Sequence, residues 1–92
     1  MPPETGRWRV ADEVAYEFMD SEAVALHLGT GTYYKLNPVA ASALRHLRNG
    51  AGMTGLVDRL FEEFEVDRAT LLADVRELIA DLARHGLVVR VL

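Results

Sequence analysis

The segment GTYYKLNP, residues 31–38, joins two kinds of predicted structure. Tyr34 and Leu36 fall on one face of an extended strand, because side chains alternate between faces with a period of two. Asn37 is a favoured helix N-cap, and Pro38 suits the first helical position, where no N–H donor is needed. The segment therefore predicts a strand that runs directly into a helix.

Upstream of this segment, residues 13–36 alternate with a period of two. The apolar members that share faces are Val14, Tyr16 and Phe18, then Val24, Leu26 and Leu28. Short links rich in turn formers, DSE and GTG, separate these runs and predict hairpins. Alternation of this kind is typical of antiparallel sheets with one solvent-exposed face. We predict a three-stranded antiparallel meander.

Downstream of Asn37 the period becomes helical. The first helix is predicted to end at Gly50, the second to begin at the cap Thr54, and the third to run from the cap Asp67 to Arg84. A short extended tail, LVVRVL, follows. The predicted fold class is α+β, a three-stranded antiparallel sheet followed by three helices, similar to a winged helix-turn-helix.

Length and composition predict one soluble domain. A chain of 92 residues, half of them apolar and 26% charged, has room for a single core. Residues 1–9, rich in Pro, Gly and charge, are predicted to be a flexible segment, and residues 10–92 a single domain. The chain has no cysteine, no signal-peptide pattern and no run of membrane-spanning length. We therefore expect a cytoplasmic protein that does not associate with membranes.

The charge pattern disfavours a nucleic-acid ligand. The formal net charge is −4, and neither sign forms a long block. The basic groups are small: Arg45 and Arg48 with His46, and Arg7 with Arg9. Nucleic-acid binding needs a basic footprint that displaces phosphate counterions, and these two groups do not form one in sequence.

The residues that carry chemistry do not form a catalytic pattern. Ser21 lies in a predicted turn, and Ser42 lies in a helix without a patterned His and Asp nearby. The histidines belong to three different elements, with His27 on the wet face of a strand and His85 beside a helix end. We therefore predict no enzyme, no metal site and no cofactor, and the function must come from a surface.

An ordered set of short motifs resembles the PqqD-like family, the recognition elements for ribosomally synthesised and post-translationally modified peptides (RiPPs). The matching positions are Leu36-Asn37, Val66-Asp67, Val75, Leu78, Leu82, Gly86 and Leu87. The resemblance spans residues 10–90, and the GTYYKLN segment is most similar to the stand-alone members that serve lasso-peptide biosynthesis. Relatives often carry a glycine after Asn-Pro, where this chain has Val39-Ala40.

The resemblance implies a non-catalytic module that binds the leader segment of a precursor peptide. Its other partners would be a separate leader peptidase of the cysteine-protease type and a cyclase. The leader would add as a strand to the third strand and lie against the third helix. The implied binding residues are Thr32, Tyr33, Tyr34, Lys35, Leu36, Leu71, Leu72, Asp74, Val75, Arg76, Leu78 and Ile79.

The residues themselves support this site but leave alternatives open. In a meander the third strand is an edge, and exposed edges pair with other chains unless they are guarded, here only by Lys35. The apolar surface of the third helix exceeds one narrow stripe, so it either packs fully inside the domain or lines a groove. Tyr34 and Leu36 are also compatible with a core role. A winged-helix DNA-binding regulator is the alternative function, and an inert subunit or an antitoxin-like adaptor is a third.

Overall fold

The computed structural model describes residues 6–91. Along this part of the chain the elements are β1 (Arg7–Val10), β2 (Val14–Met19), β3 (Glu22–His27), β4 (Thr32–Leu36), α1 (Pro38–Leu47), β5 (Ala51–Gly52), α2 (Met53–Glu63), α3 (Arg68–Arg84) and β6 (Val88–Val91). No helix in this part of the chain has the length and apolar character needed to cross a membrane. The α+β class and the three-helix order agree with the sequence prediction.

The predicted meander is present as an antiparallel sheet with the order β2-β3-β4. Its register places Tyr16 opposite Ala25 and Ala25 opposite Tyr34, so these three side chains share a face. Leu36 on the same face is buried, while Tyr33 and Lys35 on the other face are exposed. β4 has β3 as its partner in this sheet, and its other side is an edge.

The face of β3 that packs on the core carries its smaller residues, not its larger apolar ones. The fully buried residues are Ala23 and Ala25, whereas the larger Val24 and Leu26 lie half-buried on the outer face. Small residues are favoured because α1 packs against this strand. The prediction that His27 lies on the wet face is therefore wrong. Its side chain is 13% exposed, and its Nδ1 accepts the N–H of Thr30 at 3.2 Å.

A second antiparallel sheet, with the order β5-β1-β6, was not predicted from the sequence. Within the predicted flexible segment, Arg7–Arg9 form most of β1, so for these residues the prediction is wrong. Residues 1–5 lie outside the described part of the chain. β1 is ordered because it pairs with β6 at all four of its residues and with β5 at Arg7 and Trp8, and because Trp8 packs half-buried on the core.

Helix capping follows the sequence at two of the three helices. The Oδ1 of Asn37 accepts the N–H of Ala40 at 2.9 Å, and the Oδ2 of Asp67 accepts the N–H of Thr70 at 3.1 Å. The predicted cap Thr54 is wrong, since α2 begins one residue before it and Gly52 is the N-cap. β5 pairs with β1 up to Gly52, so the strand leads directly into the helix.

The hydrophobic core lies between the two sheets and the three helices. Its fully buried large side chains are Leu44, Leu47, Leu56, Leu60, Val75, Ile79, Leu87 and Val88. Each helix contributes to this set, and so does β6, the last strand of the described residues. Among the helices, α3 contributes Leu71, Val75, Ile79 and Leu82 as a continuous buried row.

Candidate functional site

A groove of about 390 Å³ separates the edge of β4 from the C-terminal half of α3. It is lined by Tyr33, Tyr34, Lys35, Leu36, Asn37, Ala40, Leu78, Asp81, Leu82, His85 and Leu87. Its floor is apolar, since Leu36, Ala40, Leu82 and Leu87 are core residues. The groove thus combines an apolar floor with a strand edge on one side and a helix face on the other.

The register shows which main-chain groups of β4 face this edge. The N–H of Leu28 donates to the carbonyl of Glu13 at 2.7 Å, in line with the β2–β3 ladder. In an antiparallel ladder, bonded and non-bonded pairs alternate, so the main chain of Ala25 faces β4 and bonds its partner Tyr34. The N–H and C=O groups directed at the free edge belong to Tyr33 and Lys35.

The helix wall of the groove follows from the spacing of residues along α3. Leu78, Asp81 and His85 recur at intervals of three and four residues, so they share one face. At the C-terminal end the aromatic ring of Tyr34 lies 5.0 Å from the imidazole of His85, tilted by 42°. This contact connects the strand wall to the helix wall.

The structure separates the α3 residues predicted to bind into three groups. Leu71, Val75 and Ile79 are at most 3% exposed and belong to the core, so they offer no surface to a ligand in this conformation. Leu72 and Arg76 lie about 120° and 160° around the helix axis from Leu78, on the flank away from the groove. The residues that lie on the groove side are Asp74 and Leu78.

All five predicted residues of the strand belong to β4, and four of them line the groove. The fifth, Thr32, is exposed at the start of the strand. Tyr33 is 69% exposed, while Leu36 is buried in the floor and Tyr34 is half-buried. Tyr34 was compatible with either a core role or a binding role. In the structure it packs on the core and also lines the groove.

Several groove residues were missed by sequence reasoning: Asn37, Ala40, Asp81, Leu82, His85 and Leu87. Asp81 and His85 carried a usable signal, because they follow Leu78 at helical spacing. The position of His85 beside a helix end does not by itself indicate a binding role. Asn37 and Ala40 carried no such signal, since they were already assigned to the start of α1.

The rim of the groove on the α3 side is acidic. Asp81 forms an ion pair with Arg84, and its Oδ1 lies 3.7 Å from the Nε2 of His85. Asp74 and Glu77 are exposed on the adjoining surface, with Leu78 between them and the groove. This rim favours a neutral or basic ligand segment over an acidic one.

The structure places Ser42 near His46, but the carboxylate of Glu63 lies between them, so the three residues are not in the order that a catalytic triad needs. The Oγ of Ser42 donates to the Glu63 carboxylate, with contacts of 2.5 and 2.8 Å. The Nε2 of His46 lies 2.8 Å from the Oε2 of the same carboxylate. A nucleophilic triad needs the histidine next to the serine, whereas here Glu63 lies between them. Its role is to join α1 to α2.

Electrostatics at this cluster are consistent with a structural role. Burial would raise the pKa of the Glu63 carboxyl, but hydrogen bonds from Ser42 and His46 and the charges of His46 and Arg45 lower it more. The net effect is a pKa of Glu63 below its ordinary value of 4.5. Within residues 6–91, no group of three or more His, Asp or Glu side chains is arranged to hold a metal ion.

The family follows from a sequence comparison. The model of the family described as coenzyme PQQ synthesis protein D (PqqD) matches residues 22–88, which include the groove and most of the core. The chain belongs to the PqqD family. The matched segment of this PqqD-family chain contains β3, β4 and all three helices. Among curated proteins no relative matches the sequence significantly.

Solved structures similar to this PqqD-family chain include two that contain leader peptides. TbiB1 in complex with the TbiA(beta) leader peptide is 35% identical, with a TM-score of 0.81, and the match covers 87% of this chain and 93% of TbiB1. A lasso peptide synthetase B1 complexed with its leader peptide is 27% identical, with a TM-score of 0.77, and the match covers 89% and 96%.

A third structure supports the fold alone. The PqqD truncation of Methylobacterium extorquens PqqCD, described as a stand-alone RiPP recognition element, is 20% identical with a TM-score of 0.73. The match covers 98% of this chain and all of that one. Together with the two leader complexes, it confirms the predicted resemblance to PqqD-like recognition elements.

Proposed function

We propose that this protein binds the leader segment of a RiPP precursor, most similar in role to the lasso-peptide recognition proteins. The observation that carries the proposal is the groove beside an open strand edge, in a chain 35% identical to a protein solved with a leader peptide. The groove has an apolar floor for side chains and a polar edge for a main chain. An extended peptide requires both features.

The leader adds as an antiparallel or parallel strand to β4. The support is the outward direction of the main-chain groups of Tyr33 and Lys35, which lack a strand partner on that side among the described elements. Alternate side chains of the added strand point into the groove, where Tyr34 and Leu78 face them from opposite walls. Main-chain bonds supply affinity that tolerates sequence change, and the groove supplies selectivity.

The protein acts without catalysis of its own and delivers the leader to a separate cysteine-protease-type peptidase and to a cyclase. Two features of the chain support this division of labour: it has no cysteine, and its serine–carboxylate–histidine cluster has the wrong order for nucleophilic attack. The purified protein incubated with its precursor should leave the precursor intact. Cleavage that persists after repeated purification would contradict the non-catalytic role.

The test of leader binding is a titration of the ¹⁵N-labelled protein with the leader of its cognate precursor, with the TbiA(beta) leader as a heterologous comparison. Amide shifts are expected at residues 32–36 and along the groove face of α3. A scrambled leader of the same composition controls for charge. Shifts confined to other elements, or no saturable binding of the cognate leader, would contradict the proposal.

A further inference from the structure

A second cleft, of about 420 Å³, lies at the other end of α1 from the groove. Its walls carry the cationic side chains of Arg7, Arg45 and Arg59, together with the imidazole of His46. These residues come from β1, the end of α1 and the middle of α2. None of them lines the groove between β4 and α3.

The tertiary structure unites basic residues that are separate in sequence. β5 pairs with β1 so that Arg7 lies opposite Gly52, which is the N-cap of α2. This pairing brings Arg7 next to the end of α1, where Arg45 is found, and Arg59 follows two turns into α2. Members of the two small basic groups, Arg7 from one and Arg45 with His46 from the other, thus share one cleft with Arg59.

Two of the arginines, Arg7 and Arg45, are held in place by contacts with uncharged groups. The Nη2 of Arg7 donates to the carbonyl of Gly50 at 3.0 Å, and the guanidinium of Arg45 lies 4.3 Å from the ring centre of Phe18. Arg59 is exposed, with no hydrogen-bond or ion-pair partner among residues 6–91. Guanidinium groups that are ordered and still charged are suited to bidentate binding of carboxylates.

The acidic groups nearby cancel only part of this charge. Glu63 contacts His46, and its charge interacts with that of Arg45, but the lining of the cleft itself has three arginines and no acidic residue. Asp58, which precedes Arg59, forms an ion pair with Arg68 of α3. The first turn of α2 has no side-chain cap, so its dipole adds to the positive potential. The cleft is therefore locally cationic in a chain whose formal net charge is −4.

We infer that this cleft is a docking surface for a carboxylate-rich segment of a partner protein. Arginine is enriched at protein interfaces, where its planar group pairs with carboxylates. A nucleic acid is disfavoured because a long polyanion would extend beyond the cleft onto a surface with net negative charge. The inference goes beyond leader recognition and does not depend on it.

The position of the cleft allows both surfaces to be occupied together. Asn37 and Ala40, at the start of α1, line the groove, whereas Arg45 and His46 line the cleft near its end. A helix rises about 1.5 Å per residue, which places the two sites on the order of 10 Å apart along α1. The protein can thus hold a leader at one end of α1 and an acidic partner segment at the other.

The test uses a fluorescently labelled hexaglutamate peptide as probe and the full chain as receptor. Saturable binding at about 0.1 M salt is expected, with amide shifts at Gly50, Gly52 and Gly55. Arg59→Glu should weaken the affinity by about tenfold or more, because it replaces an attraction by a repulsion. Arg84→Glu makes the same change of charge at the C-terminal end of α3, outside both the cleft and the groove, and should alter the affinity by less than about twofold, because the Debye length is about 10 Å at 0.1 M salt.

Arg59→Gln serves as a milder second variant, and each variant must keep the melting transition of the wild type. Three results would overturn the inference: no saturable hexaglutamate binding, equal weakening by Arg59→Glu and Arg84→Glu, or shifts outside the cleft. Tighter binding of a duplex of roughly 20 base pairs at the same amides would assign the cleft to nucleic acid instead. Leader affinity measured on the same variants keeps this outcome separate from the proposed function.

Discussion

The aromatic ring of Tyr34 and the imidazole of His85 lie 5.0 Å apart across one end of the groove. Tyr34 belongs to β4, and His85 is the C-cap of α3, so the contact joins the two walls that a bound peptide must fit between. Because the tyrosine also packs on the core, its position is set from inside the domain. The groove is therefore shaped before any ligand arrives.

The first prediction concerns this contact. Tyr34→Ala should weaken leader binding by roughly tenfold to a hundredfold, because aromatic anchors dominate the energetics of small interfaces. Tyr34→Phe keeps the ring and should stay within about threefold of the wild type. Fluorescence anisotropy with labelled leader measures both. A folded Tyr34→Ala protein with unchanged affinity would show that the leader binds elsewhere.

The second prediction separates the groove wall from the core on α3. Leu78→Asp should abolish detectable leader binding while the domain stays folded, because Leu78 is half-buried and lines the groove. Val75→Asp should instead unfold the protein, since Val75 is 0% exposed and a buried unpaired charge costs several kcal/mol, about 3–5. Circular dichroism and thermal melting distinguish the two outcomes.

This assignment replaces the expectation that Leu71 or Val75 walls the pocket. The comparison of Leu78→Asp with Val75→Asp is informative because the two positions lie one turn apart on the same helix and the same aspartate is introduced at each. If Val75→Asp melts like the wild type and loses binding, the core assignment is wrong. If Leu78→Asp binds normally, the groove is not the leader site.

The third prediction tests the main chain of β4. Lys35→Ala keeps the N–H of the edge and should change leader affinity by less than about threefold, whereas Lys35→Pro removes that donor and should weaken it about tenfold. Proline is tolerated on an edge strand when the missing N–H faces away from the sheet. An unaltered melting temperature for both variants is the control. Equal leader affinities of Lys35→Ala and Lys35→Pro would argue against strand addition.

The fourth prediction concerns the Ser42–Glu63–His46 cluster. The pKa of Glu63 is lowered on folding, so the ionised carboxylate stabilises the fold above pH 4.5, and this contribution is lost as pH falls through the lower folded value. The Glu63 side chain is 39% exposed, so solvent screens the cluster and limits its contribution.

At neutral pH we expect Glu63→Gln to lower the melting temperature by about 2–4 °C. The difference from the wild type should shrink as pH falls through the lowered pKa of Glu63, below which both side chains are uncharged. Thermal melts across this pH range, compared at equal ionic strength, measure the effect. A difference that is independent of pH would assign the loss to packing rather than to charge.

Local signals in the sequence were sufficient to predict the three-stranded meander and the starts of two helices. Alternation through Tyr34 and Leu36 placed β4 correctly, and Asn37 and Asp67 cap their helices as predicted. These features depend on neighbours only a few residues away. The start of α2 was misplaced at Thr54 because the competing constraint, the pairing of Gly52 with β1, comes from the far end of the chain.

Of the predicted binding residues, four of the five in β4 line the groove, whereas only Leu78 of those in α3 does. Strand periodicity assigns each β4 residue to a face, whereas the apolar residues of α3 spread over too wide an arc for sequence to divide core from groove. Packing makes that division: Val75 and Ile79 face the other helices and sheets, and Leu78 faces the gap beside β4.

By itself the sequence determined the order of the elements, the edge position of β4 and the absence of thiol chemistry, because periodicity, capping and composition are properties of short segments. Only the tertiary structure decided which helix residues reach the groove and that Arg7, Arg45 and Arg59 share a cleft. Those facts depend on β1 pairing with β5 and on α3 lying across from β4. Long-range contacts of this kind leave no local trace in the chain, since the residues they join are separated by dozens of others.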